Sequence, residues 1–327
     1  MRVLVLGGTR FLSHQVATHA LAAGHEVMCA ARGLNGPAPD GAAFVRWDRE
    51  EPVPDAVVRF APDAVVDVAT TPAFVRRAVA ALPEAHWVYV STLNVYADET
   101  TVGATALGSR LVSPRQSGDP RADPAAYGGL KVACEWYVCE GVPRALILRP
   151  GLIVGPGDPS GRFTYWPAHA AWAVEDGAGL LIPGEPAGPV QCIDVRDLAQ
   201  WIVAAIEAGT IGVYDAVGPA MTRAEFLDGV LAGVGQAFEP TWAPSSWLAE
   251  HGVTDWMGPG SIPLWVARDE DAAFMTRDVS ASLAAGLVVR PLADTVRDTL
   301  AWWRATPEAV VTGLTRHEER ALLDALG

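Results

Sequence analysis

"MRVLVLGGTRFLSHQVATHALAAGHEVMCA", residues 1–30, decides the fold. An apolar run, Val3–Leu6, meets two glycines; a helical pattern follows over Leu12–Ala23, closed by Gly24, and a second apolar run covers Val27–Ala30. Strand, tight turn, helix and strand make one βαβ unit. At such a turn the backbone N–H groups and the positive end of the helix dipole can hold a pyrophosphate. Gly7 and Gly8 permit the turn, while Arg10 and Ser13 stand where a Gly-x-x-Gly-x-x-Gly fingerprint has its second and third glycines.

Moving outward, the alternation continues. Phe44–Trp47, Ala64–Val68, Trp87–Val90 and Ala145–Leu148 read as strands. Ala73–Leu82 (stopped by Pro83) and Pro124–Glu140 (closed by Gly141) read as helices. This pattern predicts an α/β fold with a doubly wound parallel sheet. After Arg149 the chain turns rich in Gly, Pro and aromatics, and VQCIDVRDLAQWIV reads as a strand and helix returning to the sheet. Thr222 with Glu225, and Thr315 with Glu318, have the spacing of capping boxes. We expect residues 1–150 and 190–218 to form a dinucleotide-binding domain, and 151–189 and 219–327 a smaller, mixed C-terminal substrate lobe.

Composition narrows the function. Half of the 327 residues are apolar and 19% are charged, as in a well-packed globule rather than a disordered segment. A formal charge of -14 argues against a nucleic-acid partner, because phosphate backbones select basic faces. Cysteines 29, 134, 139 and 192 form no Cys-x-x-Cys pair and no cluster with zinc spacing, so buried reduced thiols and no metal are expected. No apolar stretch approaches the roughly 20 residues that span a bilayer. The chain opens directly on a strand-like run, without a basic segment leading into an apolar one. A cytoplasmic protein with a small-molecule substrate and no membrane partner is the expectation.

Which dinucleotide would fit is decided after the second strand. An acid there would bind a ribose 2′-hydroxyl and favour NAD. The segment is VMCAARG, with Ala31 at that point and Arg32 beside it, and Arg10 within reach. Two arginines without an acid suit a 2′-phosphate, so NADP is expected over NAD.

The chain has 23 arginines but one lysine, Lys131, four residues after Tyr127 in PAAYGGLKVACEW. Asp123 and Pro124 read as N-cap and first helical residue, which puts Tyr127 and Lys131 on one face of one helix. An unperturbed phenol titrates near pH 10, and an adjacent ammonium favours its ionised form, so such a pair can act as an acid/base. Gly128 and Gly129 weaken a helix by about 1 kcal/mol each relative to alanine, which suggests that something approaches the backbone closely. Ser91 and Thr92 fall at the end of a strand, where a hydroxyl could meet a substrate carbonyl or simply form a turn.

Together these segments resemble the extended branch of the short-chain dehydrogenase/reductase superfamily, which includes NAD-dependent epimerases and dehydratases, and the likeness spans nearly the whole chain. GGTRFLS is similar to the family's GGxGFxG turn, STLNVYAD to SSxxVYG, YGGLK to YxxxK, LRPGLIVGPGDP to LRPxxVYGPG, and CIDVRDLA to FIHVDDLA. The resemblance implies a Rossmann fold and a Thr92, Tyr127, Lys131 catalytic set. In it Tyr127 transfers the proton, Lys131 holds the nicotinamide ribose, and Thr92 positions the reacting oxygen. It places Gly7, Gly8, Thr9, Arg10, Phe11, Leu12, Arg32, Asp48, Ala69, Pro150, Gly151 and Ile153 beside the cofactor, with Asp48 near the adenine amino group. Thr92, Asn94, Arg162, Phe163, Trp166 and Gln191 become candidate substrate contacts.

Departures from the family pattern bear on the substrate. Pro150–Ile153 lacks the Asn that sugar-nucleotide members carry for the diphosphate. Val190 and Gln191 stand where those members have an Arg, a charge that Arg162 or Arg196 could replace. An aromatic wall of Phe163, Tyr165, Trp166 and Trp172 suits an apolar carbonyl, or is plain core. The leading expectation is an NADP- or NAD-dependent oxidoreductase acting on a small carbonyl or alcohol. A nucleotide-sugar epimerase or dehydratase is the alternative, although Leu93 and Asn94 replace the acid pair that dehydration uses. A non-catalytic dinucleotide-sensing or RNA-associated relative is the third reading. A homodimer through the helices flanking the site would be usual for the superfamily.

Overall fold

The computed structural model describes residues 1–236, 240–267 and 274–327. The chain divides into two compact units, one of residues 1–152, 195–217 and 277–288, the other of 153–194, 218–276 and 289–327.

The first unit holds a sheet of seven parallel strands among the described residues: β1 (Arg2–Leu6), β2 (Glu26–Ala31), β3 (Ala43–Arg46), β4 (Ala64–Asp67), β5 (His86–Val90), β6 (Ala145–Arg149) and β7 (Gly212–Asp215). Their order is β7-β6-β5-β4-β1-β2-β3, so the chain runs one way from β1 and then returns to run the other. The reversal lies between β1 and β4, which pair in register from Val3↔Ala64 to Leu6↔Asp67. Ligands of doubly wound sheets bind outside the strand ends at such a reversal. β4 and β5 are buried along their whole length, which is why AVVD and HWVYV read as runs rather than as alternation.

Helices α1 (Phe11–Ala22) and α5 (Val195–Ala208) pack together, as do α3 (Pro72–Ala81) and α4 (Ala126–Gly141). Leu4, Val65, Trp87, Tyr89 and Ile147 of the sheet share one core with Val75 and Val79 of α3 and Cys134 and Val138 of α4. Burying each such aliphatic side chain contributes about 1.5–3 kcal/mol.

Several local expectations change. The helix of Tyr127 begins at Ala126, with no side-chain cap; Asp123 instead pairs with Arg115 at 2.7 Å. Gly141 lies inside the last turn of α4, where a Cβ would collide with Val79 of α3; close helix packing, not termination, requires it. The strand in VQCIDV, Cys192–Asp194, sits outside the main sheet, and the strand that joins the sheet is β7, after α5. A short helix α2 (Asp55–Phe60), unmarked by periodicity, ends on Ala61 in the left-handed region (φ 44°). Cys139 is exposed, whereas Cys29, Cys134 and Cys192 are buried.

The second unit packs helices Tyr165–Asp176, Arg223–Val234 and Leu292–Ala305 against one another. Phe163 and Trp166 meet Phe226 edge-on at 6.4 and 5.2 Å. Both capping boxes form: Thr222 and Thr315 accept from the backbone N–H of Glu225 and Glu318, whose carboxylates return the bond. On the C-terminal helix Arg316–Leu326, Glu319 is buried against His169 at 2.5 Å and also accepts from the Leu181 N–H. No helix of the described residues is long and apolar enough to cross a membrane.

Candidate active site

The turn after β1 is built as its glycines require. Gly7 and Gly8 hold φ of 130° and 84°, a region that other residues rarely enter. A Cβ on Gly8 would strike the Cys29 sulfur of β2, so only glycine lets the turn lie this close to the sheet. Burial pushes that thiol up to about 11, which keeps it neutral beside the turn. Ser13, in place of a third glycine, donates to the Arg10 carbonyl at 2.9 Å and tightens the entry to α1. Phe11, the first helical residue, sits at φ 42°.

A cleft of about 730 Å³ opens over this turn. Gly7, Thr9, Arg10 and Phe11 line one part, Ala31 and Arg32 another, and Asp48 and Ala69 the far wall. All but Ala31 are cofactor candidates of the sequence, gathered at the carboxyl ends of β1, β2, β3 and β4. Pro150 is buried after β6, and a Cβ on the adjoining Gly151 would lie 2.9 Å from Leu93.

Two cleft arginines had no sequence signal. Arg121 comes from the loop before α4. Arg49 donates to both oxygens of Asp67 (3.3 and 2.9 Å) and stacks over Trp47 at 4.8 Å. Asp67 itself is fully buried at the end of β4, where it also accepts from the Ala69 N–H. By contrast, Arg10 and Arg32 are exposed, and no carboxylate among the described residues pairs with either side chain. The residues present fit a dinucleotide: backbone N–H groups at a helix start, an apolar floor, and two exposed guanidiniums in the cleft lining, Arg10 at the start of α1 and Arg32 after β2, where no acid stands.

Lys131 lies on α4 with its Nζ buried among three carbonyls, those of Val68 (3.2 Å), Ala69 (3.1 Å) and Val90 (2.8 Å). The ammonium also sits over the Tyr89 ring, 4.9 Å from its centroid. Val68 and Ala69 line the cleft, so the lysine is pinned to the cleft floor at the tips of β4 and β5. Tyr127 is half-buried one helical turn earlier.

Thr92 follows β5 and caps a 3-10 turn, Leu93–Val95. Its hydroxyl donates to the Asn94 side-chain oxygen at 2.9 Å and accepts from the Asn94 N–H at 3.3 Å. The helix glycines explain how this turn meets α4. A Cβ on Gly128 would occupy the position of the Asn94 carbonyl oxygen, and one on Gly129 would lie 2.7 Å from the Ser113 carbonyl oxygen. What approaches the glycine pair is therefore the protein's own loop, which brings the Thr92 turn against the first turn of α4. No hydrogen bond joins Thr92, Tyr127 and Lys131 to one another among the described residues.

Glu135, one turn beyond Lys131 on the same face, is buried and binds Arg149 of β6 through both oxygens (3.0 and 2.6 Å). It also accepts from the Ser91 hydroxyl. Sequence reasoning missed Glu135; its spacing of four from Lys131 is the signal that could have found it, whereas its arginine partner left none.

The remaining candidates belong to the second unit. Arg162 donates to Ser160 at 3.3 Å and stacks over Trp256. Phe163 and Trp166 are buried in that unit's core, Trp166 donating to the Pro263 carbonyl at 3.1 Å, which is the packing role left open for this stretch. Gln191 is buried and donates to the Gly218 carbonyl at 2.9 Å. Ile153 is half-buried. Among the described residues no group of three His, Cys, Asp or Glu could hold a metal ion.

Comparison with known proteins adds three findings. The pattern of the NAD dependent epimerase/dehydratase family matches residues 3–216. A 2'-dehydrokanamycin reductase of Streptomyces kanamyceticus is 30% identical over 276 residues, 77% of this chain and 72% of that one. Among solved structures, a putative epimerase from Burkholderia cenocepacia matches with TM-score 0.65 at 21% identity, covering 93% of this chain and 98% of the other. The UDP-glucuronic acid 4-epimerase of Bacillus cereus, solved in complex with NAD, matches with TM-score 0.60 at 16% identity, covering 93% and 99%.

Proposed function

We propose a function from one premise: the chain belongs to the NAD dependent epimerase/dehydratase family. Within it, we infer that this protein is an NADP-dependent reductase of a ketone on a small, sugar-like molecule, or the reverse dehydrogenase. The observation that carries this reading is the anchoring of Lys131 to the Val68, Ala69 and Val90 carbonyls on the cleft floor. It puts the Tyr127 helix at the same strand tips as the nucleotide cleft.

When bound, the nicotinamide supplies or accepts the hydride. The chain's own residues supply binding, orientation and the proton. Gly7, Gly8 and the start of α1 would hold the pyrophosphate, and Arg10 and Arg32 a 2′-phosphate, each guanidinium offering a fork that suits phosphate. Lys131, whose three N–H groups are held by those carbonyls, would exchange one of these bonds for one to a ribose hydroxyl. Tyr127 would give its hydroxyl proton to the substrate oxygen in the reductive direction and take it back in the oxidative one. Thr92 would donate to the same oxygen by turning its single hydroxyl proton from the Asn94 side-chain oxygen to the substrate.

The named activity of the kanamyceticus relative favours net reduction of a carbonyl over epimerisation. The missing acid at the β2 edge favours NADP over NAD. The test is a screen of keto-sugars and simpler ketones with purified protein, following NADPH oxidation. Net, substrate-dependent consumption of NADPH is expected. Tightly retained NAD with isomerised product and no net consumption would instead make the protein an epimerase.

A further inference from the structure

Behind Thr92 lies a chain of buried charges that the proposed reaction does not use. It starts from Tyr96, four residues beyond Thr92 and 4% exposed. The Tyr96 hydroxyl donates to Asp215 Oδ1 at 2.5 Å and accepts from Arg149 Nη1 at 3.1 Å. Two guanidiniums lie near its ring, Arg149 at 5.0 Å and Arg277 at 3.8 Å from the centroid. Asp215, at the end of β7, divides its oxygens: Oδ1 takes the tyrosine and Oδ2 takes Arg277 Nε at 2.8 Å. Arg277 continues to Ser109 at 3.1 Å. Arg149 closes the other side onto Glu135, and Glu135 onto Ser91.

The result is a circuit that grips both ends of one short segment. Ser91 is held by Glu135 of α4, and Tyr96 by Asp215, Arg149 and Arg277. Between the two anchors stand Thr92 and Asn94. Two carboxylates and two guanidiniums balance the circuit, so each buried charge has its opposite within hydrogen-bonding distance. Tyr96 cannot withdraw without breaking its hydrogen bonds to Asp215 and Arg149 and its contact with the Arg277 guanidinium.

We propose that Arg277 is a positioning residue for the reaction. Acting through Tyr96 and Asp215, it fixes the 91–96 turn so that the Thr92 hydroxyl stands in register with Tyr127. The inference rests on the assignment of Thr92 and Tyr127 made above. A displacement of the order of 1 Å at a reacting group can lower the rate by about 100-fold, so a rigid mount for Thr92 has kinetic value.

The test compares Arg277→Met, the double variant Asp215→Asn/Arg277→Met, and Tyr96→Phe, with kcat, KM, NADPH affinity and thermal midpoint measured for each. Arg277→Met should lose about 10- to 100-fold in kcat with NADPH affinity nearly unchanged. The double variant, which removes the stranded carboxylate, should recover the thermal midpoint but not kcat. Tyr96→Phe, which removes only the hydroxyl and keeps the packing, should lower kcat without lowering NADPH affinity; it answers the question if Arg277→Met does not fold. Recovery of kcat together with stability in the double variant, or full kcat in Tyr96→Phe, would overturn the proposal. A Tyr127→Phe variant measured alongside separates the two ideas: retained turnover there removes the underlying reading, whatever Arg277 does.

Discussion

Two sets of arginines in the first unit behave in opposite ways. Arg10 and Arg32, at the rim of the cleft over the glycine turn, are exposed and carry no ion pair among the described residues. Arg149 and Arg277, behind the Thr92 turn, are buried to about the same extent as the core, and each is bound by a carboxylate. The physics of burial sorts them. A guanidinium taken out of water costs several kcal/mol unless it is paired and its N–H groups are satisfied, while one at a rim costs little and stays available. Availability marks recognition of an outside charge; satisfaction marks an internal frame. Under the proposed function one residue type serves as ligand hand and as scaffold, and its surroundings tell which.

The largest expected effect lies where the frame presents its proton. Tyr127→Phe should lower turnover by about 10²- to 10⁴-fold while NADPH affinity stays nearly constant. Steady-state rates and a binding titration on the same sample check this. Unchanged turnover would put the proton transfer elsewhere and leave the frame without purpose.

Next comes the frame itself. Glu135→Leu leaves Arg149 buried without its carboxylate and should destabilise the protein by about 3–5 kcal/mol in chemical denaturation. A loss below 1 kcal/mol, the range of exposed pairs, would erase the distinction between the two sets. On the rim, Arg32→Ala should weaken NADPH by about tenfold and NADH hardly at all, because a charged hydrogen bond contributes about 1.5–3 kcal/mol and only one cofactor has the extra phosphate. Equal weakening of both would move Arg32 to the pyrophosphate.

The mildest contrast concerns an accessible pair in the second unit. Arg316 donates two hydrogen bonds to Asp176 (3.0 and 2.6 Å), and these hold that carboxyl down at about 2, against an ordinary 3.8. A lowered carboxyl stabilises the fold above the ordinary value and loses that contribution as pH falls through the lowered one. The stability difference between the native chain and Asp176→Asn should therefore be small at pH 7, shrink below about pH 4 and vanish near pH 2. Urea midpoints across that range read it directly.

Much of the parallel sheet was legible because its strands are buried on both faces and appear as unbroken apolar runs, as in VLVL and WVYV. Tyr127 and Lys131 were legible because one lysine among so many arginines at helical spacing is a chemical choice. The glycines beside them were legible as a demand for space, but not as space for Asn94 and Ser113 of a distant loop. β7 was missed since its first three residues, Gly212, Val213 and Tyr214, are not fully buried and show no run. Asp123 looked like a helix cap, but Arg115 competes for its carboxylate, and the helix starts without it. Pairings such as Asp215 with Arg277, 62 residues apart, leave no local trace in sequence; they depend on which strand ends the fold brings together.

The same pairing has a consequence for biosynthesis. Residues 277–288 belong to the first unit although most of the second is encoded before them. As the chain leaves the ribosome, Asp215 must wait through some sixty residues of translation for its counter-ion. The N-terminal unit cannot reach its finished state while it is being made, so a nascent chain halted ahead of Arg277 presents chaperones with a Rossmann domain whose 91–96 turn is still unbolted.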